Sequence, residues 1–179
     1  MIDWLKGYIA KKGGLFGISK KVAFYGLFLL IVSNIISYYK RPNIDFVTAP
    51  EIEATLLSGK NISLYQYRDK PLMIHFWATW CPTCKLEAPT IDKLSHEYQV
   101  LTIAVNSGTD EEIDAFMREN GYSFPVIHDK HSEIAKAYKI SAFPTTYILD
   151  ENGNVDFIDV GFTSDVGLRL RMWRAEKDK

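Results

Sequence analysis

Cys81 and Cys84 are the only thiols in a chain of 179 residues. Pro82 and Thr83 separate them, a spacing that puts both sulfurs on one turn if a helix starts at the motif. A helix N-terminus offers unpaired N–H groups and the positive end of the helix dipole. Both effects favour a thiolate on the first cysteine. Cys81 is therefore the expected exposed nucleophile, and Cys84 the buried thiol that resolves a mixed disulfide.

Other chemistry is less well supplied. Two cysteines cannot complete a four-ligand zinc site without histidines, and His75, His96, His128 and His131 are scattered. His128 and His131 fall in a predicted turn, where an exposed pair is the expectation. Two thiolates are also soft ligands for Cu(I), although no methionine or histidine cluster flanks them. No resident metal or cofactor is expected.

Three neighbours of the motif bear on proton handling and docking. Glu87 lies three residues beyond Cys84 and is either a carboxylate that exchanges a proton with the thiol or an exposed helix glutamate. His75, in the run before the motif, is either a proton shuttle or a core histidine bonded to a backbone group. Trp77 is expected in the core, and Trp80 over the thiols.

The elements that must position these residues follow from periodicity. Leu72 to Trp77 is apolar on both faces and reads as a central strand. Residues 82–98 have helical spacing, with Leu86, Ile91 and Leu94 inward and Pro89 as a bend. Val100 to Val105 is a second apolar strand. Asp110 caps a helix to about Asn120, stopped by Gly121. Phe124 to Ile127 is a short strand, and Ser132 to Tyr138 a short helix. Thr145 to Leu149 and Asn154 to Val160 flank Asn152-Gly153, a hairpin signal for the primed turns. A helix from about Ser164 to Ala175 closes the domain, and Ala54 to Leu57 with Ile62 to Leu64 form a small hairpin ahead of it. Strands alternating with helices describe an α/β sheet covered on both faces.

The N-terminal region differs in kind. Residues 1–21 are basic, with Lys6, Lys11, Lys12, Lys20 and Lys21, and residues 22–39 carry no charge. A helix of that length reaches about 27 Å, near the roughly 30 Å of a bilayer core, with tyrosines and lysines at its ends. No small-residue cleavage pattern follows it, so an uncleaved anchor is expected. The lysine bias places residues 1–21 in the cytoplasm and the domain at 53–179, beyond a linker at 40–52, in the bacterial periplasm. A net charge of −1 gives no reason to expect nucleic acid.

Residues 71–179 resemble the membrane-anchored thioredoxin-like proteins of the TlpA, ResA and DsbE group. The resemblance rests on Phe76-Trp77-Ala78-Thr79-Trp80-Cys81 and on Phe143-Pro144-Thr145-Thr146-Tyr147. It implies a thioredoxin-like fold, a mixed sheet with helices on both faces and an extra strand-helix insert. Pro144 matches the group's cis-proline, with Phe143 before it, and Glu87 matches an acid often found near the disulfide. Lys40-Arg41-Pro42, Ser107-Gly108, Gly161-Phe162-Thr163-Ser164 and Trp173 look more narrowly like the ScsD proteins of suppressor-of-copper-sensitivity systems.

The implied activity is thiol–disulfide exchange with periplasmic protein disulfides or oxidised thiols. The implied electron donor is a membrane protein of the DsbD or ScsB type. Cytochrome c maturation is the alternative; Thr145 stands where some of its members carry an acid after the proline. A peroxidase of the same superfold expects threonine three positions before the cysteine, where this chain has Ala78.

Overall fold

The computed structural model describes residues 22–28, 31–32 and 43–177. The chain divides into two compact units, Met1–Tyr39 and Lys40–Lys179. In the first, residues 22–28 and 31–32 are helical. The basic segment 1–21, the rest of the expected anchor and Lys40-Arg41-Pro42 lie outside the described residues. Among the described residues, no helix is long and apolar enough to cross a membrane.

The second unit holds the expected α/β arrangement. A two-stranded hairpin, β1 (Glu53–Thr55) and β2 (Asn61–Ser63), leads through a 3-10 turn at Leu64–Tyr67 into β3 (Leu72–Trp77). Then follow α1 (Pro82–Ser95), β4 (Gln99–Val105), α2 (Asp110–Asn120), β5 (Val126–Asp129) and α3 (Glu133–Ala137). The chain ends with β6 (Thr145–Leu149), β7 (Val155–Val160) and α4 (Asp165–Lys177). The main sheet has the order β5-β4-β3-β6-β7, with β3, β4 and β5 parallel and β6 and β7 antiparallel additions. This is the mixed sheet of a thioredoxin-like fold.

The two parallel crossovers step in the same direction. Right-handed connections therefore put α1 and α2 on one face. Successive side chains alternate across a strand, so Met73 and Trp77 of β3 meet Ile91 and Leu94 of α1, Ile113 of α2, and Leu168 and Met172 of α4. Leu72, Ile74 and Phe76 point the other way, to Ile62, Leu64, Ala135 and Tyr138. Every residue of β3 is buried, as its two apolar faces required.

Several expectations need correction. Leu86 is 73% exposed, while Cys84, Glu87, Ala88, Ile91 and Leu94 form the buried stripe of α1. At 100° per residue Leu86 lies far round the helix from Ile91, and the buried place goes to Glu87 instead. Helix α1 ends at Ser95, short of the expected 98, with Pro89 inside it. Thr109, not Asp110, is the N-cap of α2, in a reciprocal capping box with Glu112. Gly121 does close α2, with φ 69°. His128 lies in β5 rather than a turn, its side chain 8% exposed and bonded to Asp110.

The β6–β7 hairpin is present, but its turn is not of the primed class. Only Gly153 has positive φ there, and Asp150 Oδ1 accepts the N–H groups of Asn152 and Asn154. Part of the expected linker belongs to the domain. Thr48 bridges Asn154, Ala49 and Ile52 are buried, and the Tyr138 hydroxyl donates to the Pro50 carbonyl.

Candidate active site

Cys81 is the N-cap of α1, and Pro82 occupies the first turn, where its missing N–H costs nothing. The Cys84 N–H donates to Cys81 Sγ at 3.2 Å, so the helix end directs a backbone dipole at that sulfur. The two cysteines are joined in a disulfide, with their Cα atoms 5.3 Å apart. Cys81 is 5% exposed and Cys84 1%. Both sulfurs are therefore buried, and Cys81 packs within the apolar cluster rather than standing exposed as expected.

Aromatic residues make the rim. Trp80 is 59% exposed and donates its indole N–H to the Asn106 carbonyl at 2.9 Å. Its ring stands edge-on to Phe143, centroids 5.7 Å apart. Phe143 precedes a cis bond to Pro144 and packs against the cluster that contains both cysteines. Pro82 is exposed and Thr83 half-buried, while Pro144 is buried. Trp77 is core, as expected, its indole N–H donating to Thr102 Oγ1 at 3.1 Å. Thr79, one place off the peroxidase position, donates its hydroxyl to the Ser107 carbonyl.

Glu87 is not an exposed helix residue. It is fully buried, and its Oε1 accepts the Thr163 N–H at 3.1 Å. Oε2 has no hydrogen-bond partner among the described residues. Burial, reinforced by the negative charge of Asp159 and opposed by the Thr163 bond, pushes its pKa up to about 8. Glu87 follows Cys84 by three residues on the buried stripe, so a carboxyl poised between its two protonation states shares a helix face with the resolving thiol.

His75 is also buried, but it bonds the Thr146 hydroxyl through Nδ1 at 2.9 Å, not a backbone group. Burial lowers its pKa to about 3, which favours the neutral ring at physiological pH. It belongs to a buried polar row that sequence reading missed. Thr102 on β4, His75 on β3, Thr146 on β6 and Asp159 on β7 are successive cross-strand partners. All four are buried. Arg171 of α4 closes the row with an ion pair to Asp159 at 2.6 Å. The available signal was polar residues set inside otherwise apolar strands.

The family follows from comparison with known proteins. Residues 47–158 match the model of the AhpC/TSA family. The chain belongs to the AhpC/TSA family. A thioredoxin-like protein of Haemophilus influenzae is 30% identical over 155 residues, covering 84% of this chain and 90% of that one. The thiol-disulfide oxidoreductase ResA of Geobacillus thermodenitrificans is 35% identical over 118 residues, covering 64% and 68%. Among solved structures, a putative thioredoxin from Neisseria meningitidis aligns with TM-score 0.68 at 26% identity, covering 75% of this chain and 93% of that chain. The enzyme class that these comparisons support for the chain is thiol–disulfide oxidoreductase.

Proposed function

We propose that this AhpC/TSA-family protein is a membrane-anchored periplasmic reductant of protein disulfides. The enzyme class itself is thiol–disulfide oxidoreductase. The observation that carries the reading is the Cys81–Cys84 disulfide at the N-terminus of α1, beside the Trp80–Phe143 rim.

In the reduced protein the Cys81 thiolate attacks one sulfur of a substrate disulfide. The other substrate sulfur leaves as a thiolate and takes a proton from solvent, and a mixed disulfide joins Cys81 to the substrate. Cys84 then gives its proton to the Glu87 carboxylate, and its thiolate attacks Cys81 Sγ. The second substrate thiolate leaves and the Cys81–Cys84 disulfide forms. Two electrons have passed to the substrate, and a membrane donor of the DsbD or ScsB type returns them. Burial pushes the Glu87 pKa up to about 8, nearer the range of thiols than that of an exposed carboxylate, which suits it to exchange a proton with Cys84.

Support for the anchor comes from residues 22–39, which carry no charge, and from Val22, Phe24, Tyr25, Leu27, Phe28 and Ile31, all exposed on helical backbone. The ScsD-like sequence features make copper or oxidative stress the expected setting. Among the described residues, no group of three or more His, Cys, Asp or Glu side chains is placed to hold a metal ion. The Cu(I)-carrier reading therefore gains no ligand beyond the two thiols.

A redox titration of Cys81–Cys84 against glutathione tests the direction. Related dithiols span roughly −270 to −120 mV. A potential near about −120 mV, that of a strong oxidant, would overturn the reductant assignment. Cys84→Ala should trap substrates as mixed disulfides on Cys81, and apocytochrome among them would select the maturation role.

A further inference from the structure

Glu87 is enclosed by one continuous piece of chain, from β7 through the following loop into α4. The loop supplies the Thr163 N–H to Oε1 at 3.1 Å. Four residues earlier, Asp159 points from β7 into the same buried region, 4% exposed. Eight residues after Thr163, Arg171 reaches back from α4 to Asp159, Nε to Oδ2 2.6 Å, while its Nη1 donates to the Gly167 carbonyl at 2.9 Å. The Thr163 N–H and the negative charge of Asp159 act on Glu87 directly; Cys84 precedes it on the buried stripe of α1, His75 is buried on β3, and Arg171 of α4 pairs with Asp159.

We propose that Asp159, held by Arg171, is a positioning residue that governs when Glu87 carries the proton it exchanges with Cys84. The inference rests on the disulfide-exchange reading and adds a control to it. Asp159 acts through the field it sets at a buried carboxyl, where low dielectric makes a nearby charge count for much more than in water. Arg171 limits that field by neutralising part of it, so the two residues should act on Glu87 in opposite senses. Removing the negative charge of Asp159 favours the ionised form of Glu87. Removing Arg171 exposes that negative charge and favours the protonated form. His75 and Thr146 separate this pair from the hydrogen bonds around Trp77 and Thr102, so the effect should be confined to the Cys84 half-reaction.

The test uses the full chain purified in mild detergent. The pH dependence of mixed-disulfide resolution by Cys84 is measured by rapid quench, and the Glu87 carboxyl is followed by 13C NMR. Asp159→Asn should lower the midpoint of both profiles by on the order of one pH unit. Arg171→Gln should raise it, and Asp159→Glu should restore the wild-type profile. In an E87Q background neither D159N nor R171Q should move the kinetic midpoint. Losses of rate without any shift of midpoint in D159N and R171Q would overturn the proposal, leaving the pair a structural clamp. Shifts that persist in E87Q would overturn it equally. Should Asp159→Asn fail to fold, the upward shift in Arg171→Gln and its loss with E87Q carry the test. A wild-type chain that exchanges no disulfide would instead sink the functional reading, which separates the two failures.

Discussion

His75 on β3 and Thr146 on β6 face each other across the sheet and share a hydrogen bond of 2.9 Å in the buried interior. The bond satisfies one ring nitrogen of a histidine that the core keeps neutral, and burial likewise favours the uncharged form of Glu87. The two groups should leave opposite marks on stability.

For Glu87 the folded pKa, about 8, is raised above its ordinary 4.5. Its favourable contribution is complete below pH 4.5 and is lost as pH rises through about 8. For His75 the folded pKa, about 3, lies below its ordinary 6.5. Its contribution is complete above pH 6.5 and is lost as pH falls toward 3. These two groups alone give a plateau between about pH 4.5 and 6.5, with loss on either side. Chemical denaturation of Glu87→Gln should be flatter on the alkaline side, by on the order of a few kcal/mol at pH 8. His75→Gln should be flatter on the acid side. Unchanged pH dependence in either variant would contradict the burial argument.

Trp80 is exposed beside the disulfide and braced by Asn106 and Phe143. Aromatic residues in such positions dominate protein docking. Trp80→Ala should raise KM for a folded disulfide-containing protein by about tenfold, equivalent to about 1.4 kcal/mol, with little change in kcat. Reduction of a small aromatic disulfide should be nearly unaffected. Equal losses on both substrates would assign Trp80 to the chemistry instead.

Asp129 tests the other end of the sheet. It is 5% exposed, and its carboxylate accepts the N–H groups of Glu133 and Ala135, each at 2.8 Å. Ser132, the formal N-cap of α3, makes no side-chain cap bond. Asp129→Ala leaves two donors of the first turn of α3 unpaired, one of them buried, and should cost about 1–3 kcal/mol in urea unfolding, with thiol chemistry intact.

The proposed topology is checked by fusing, after Lys179, a reporter that is active only outside the cytoplasm. The fusion should be active, and removal of residues 22–39 should silence it. A silent full-length fusion would refute the export reading.

Much of this site was legible because its signals are local. The C-x-x-C spacing, the apolar run of β3 and the Phe143-Pro144-Thr145 stretch each carry their meaning within a few residues. Leu86 and Glu87 were harder, because hydropathy assigns the inner face to the leucine. The buried stripe Cys84, Glu87, Ala88, Ile91 and Leu94 decides otherwise. Thr102, His75, Thr146 and Asp159 come from four strands, and only the sheet register lines them up. Arg171 joins them through helix packing. No short-range pattern encodes either relation.

The loop after β7 makes two contacts with the site. The Gly161 N–H donates to the Pro144 carbonyl at 2.8 Å, and two residues on the Thr163 N–H donates to Glu87. Both donors are main-chain amides. A mechanical tie between the proline wall and the buried acid would therefore be silent in an alanine scan of Phe162 and Thr163, since alanine keeps the amide. Proline at 163 deletes that donor. Side-chain scanning maps recognition and the Asp159–Arg171 pair, whereas this tie answers only to a change in the backbone.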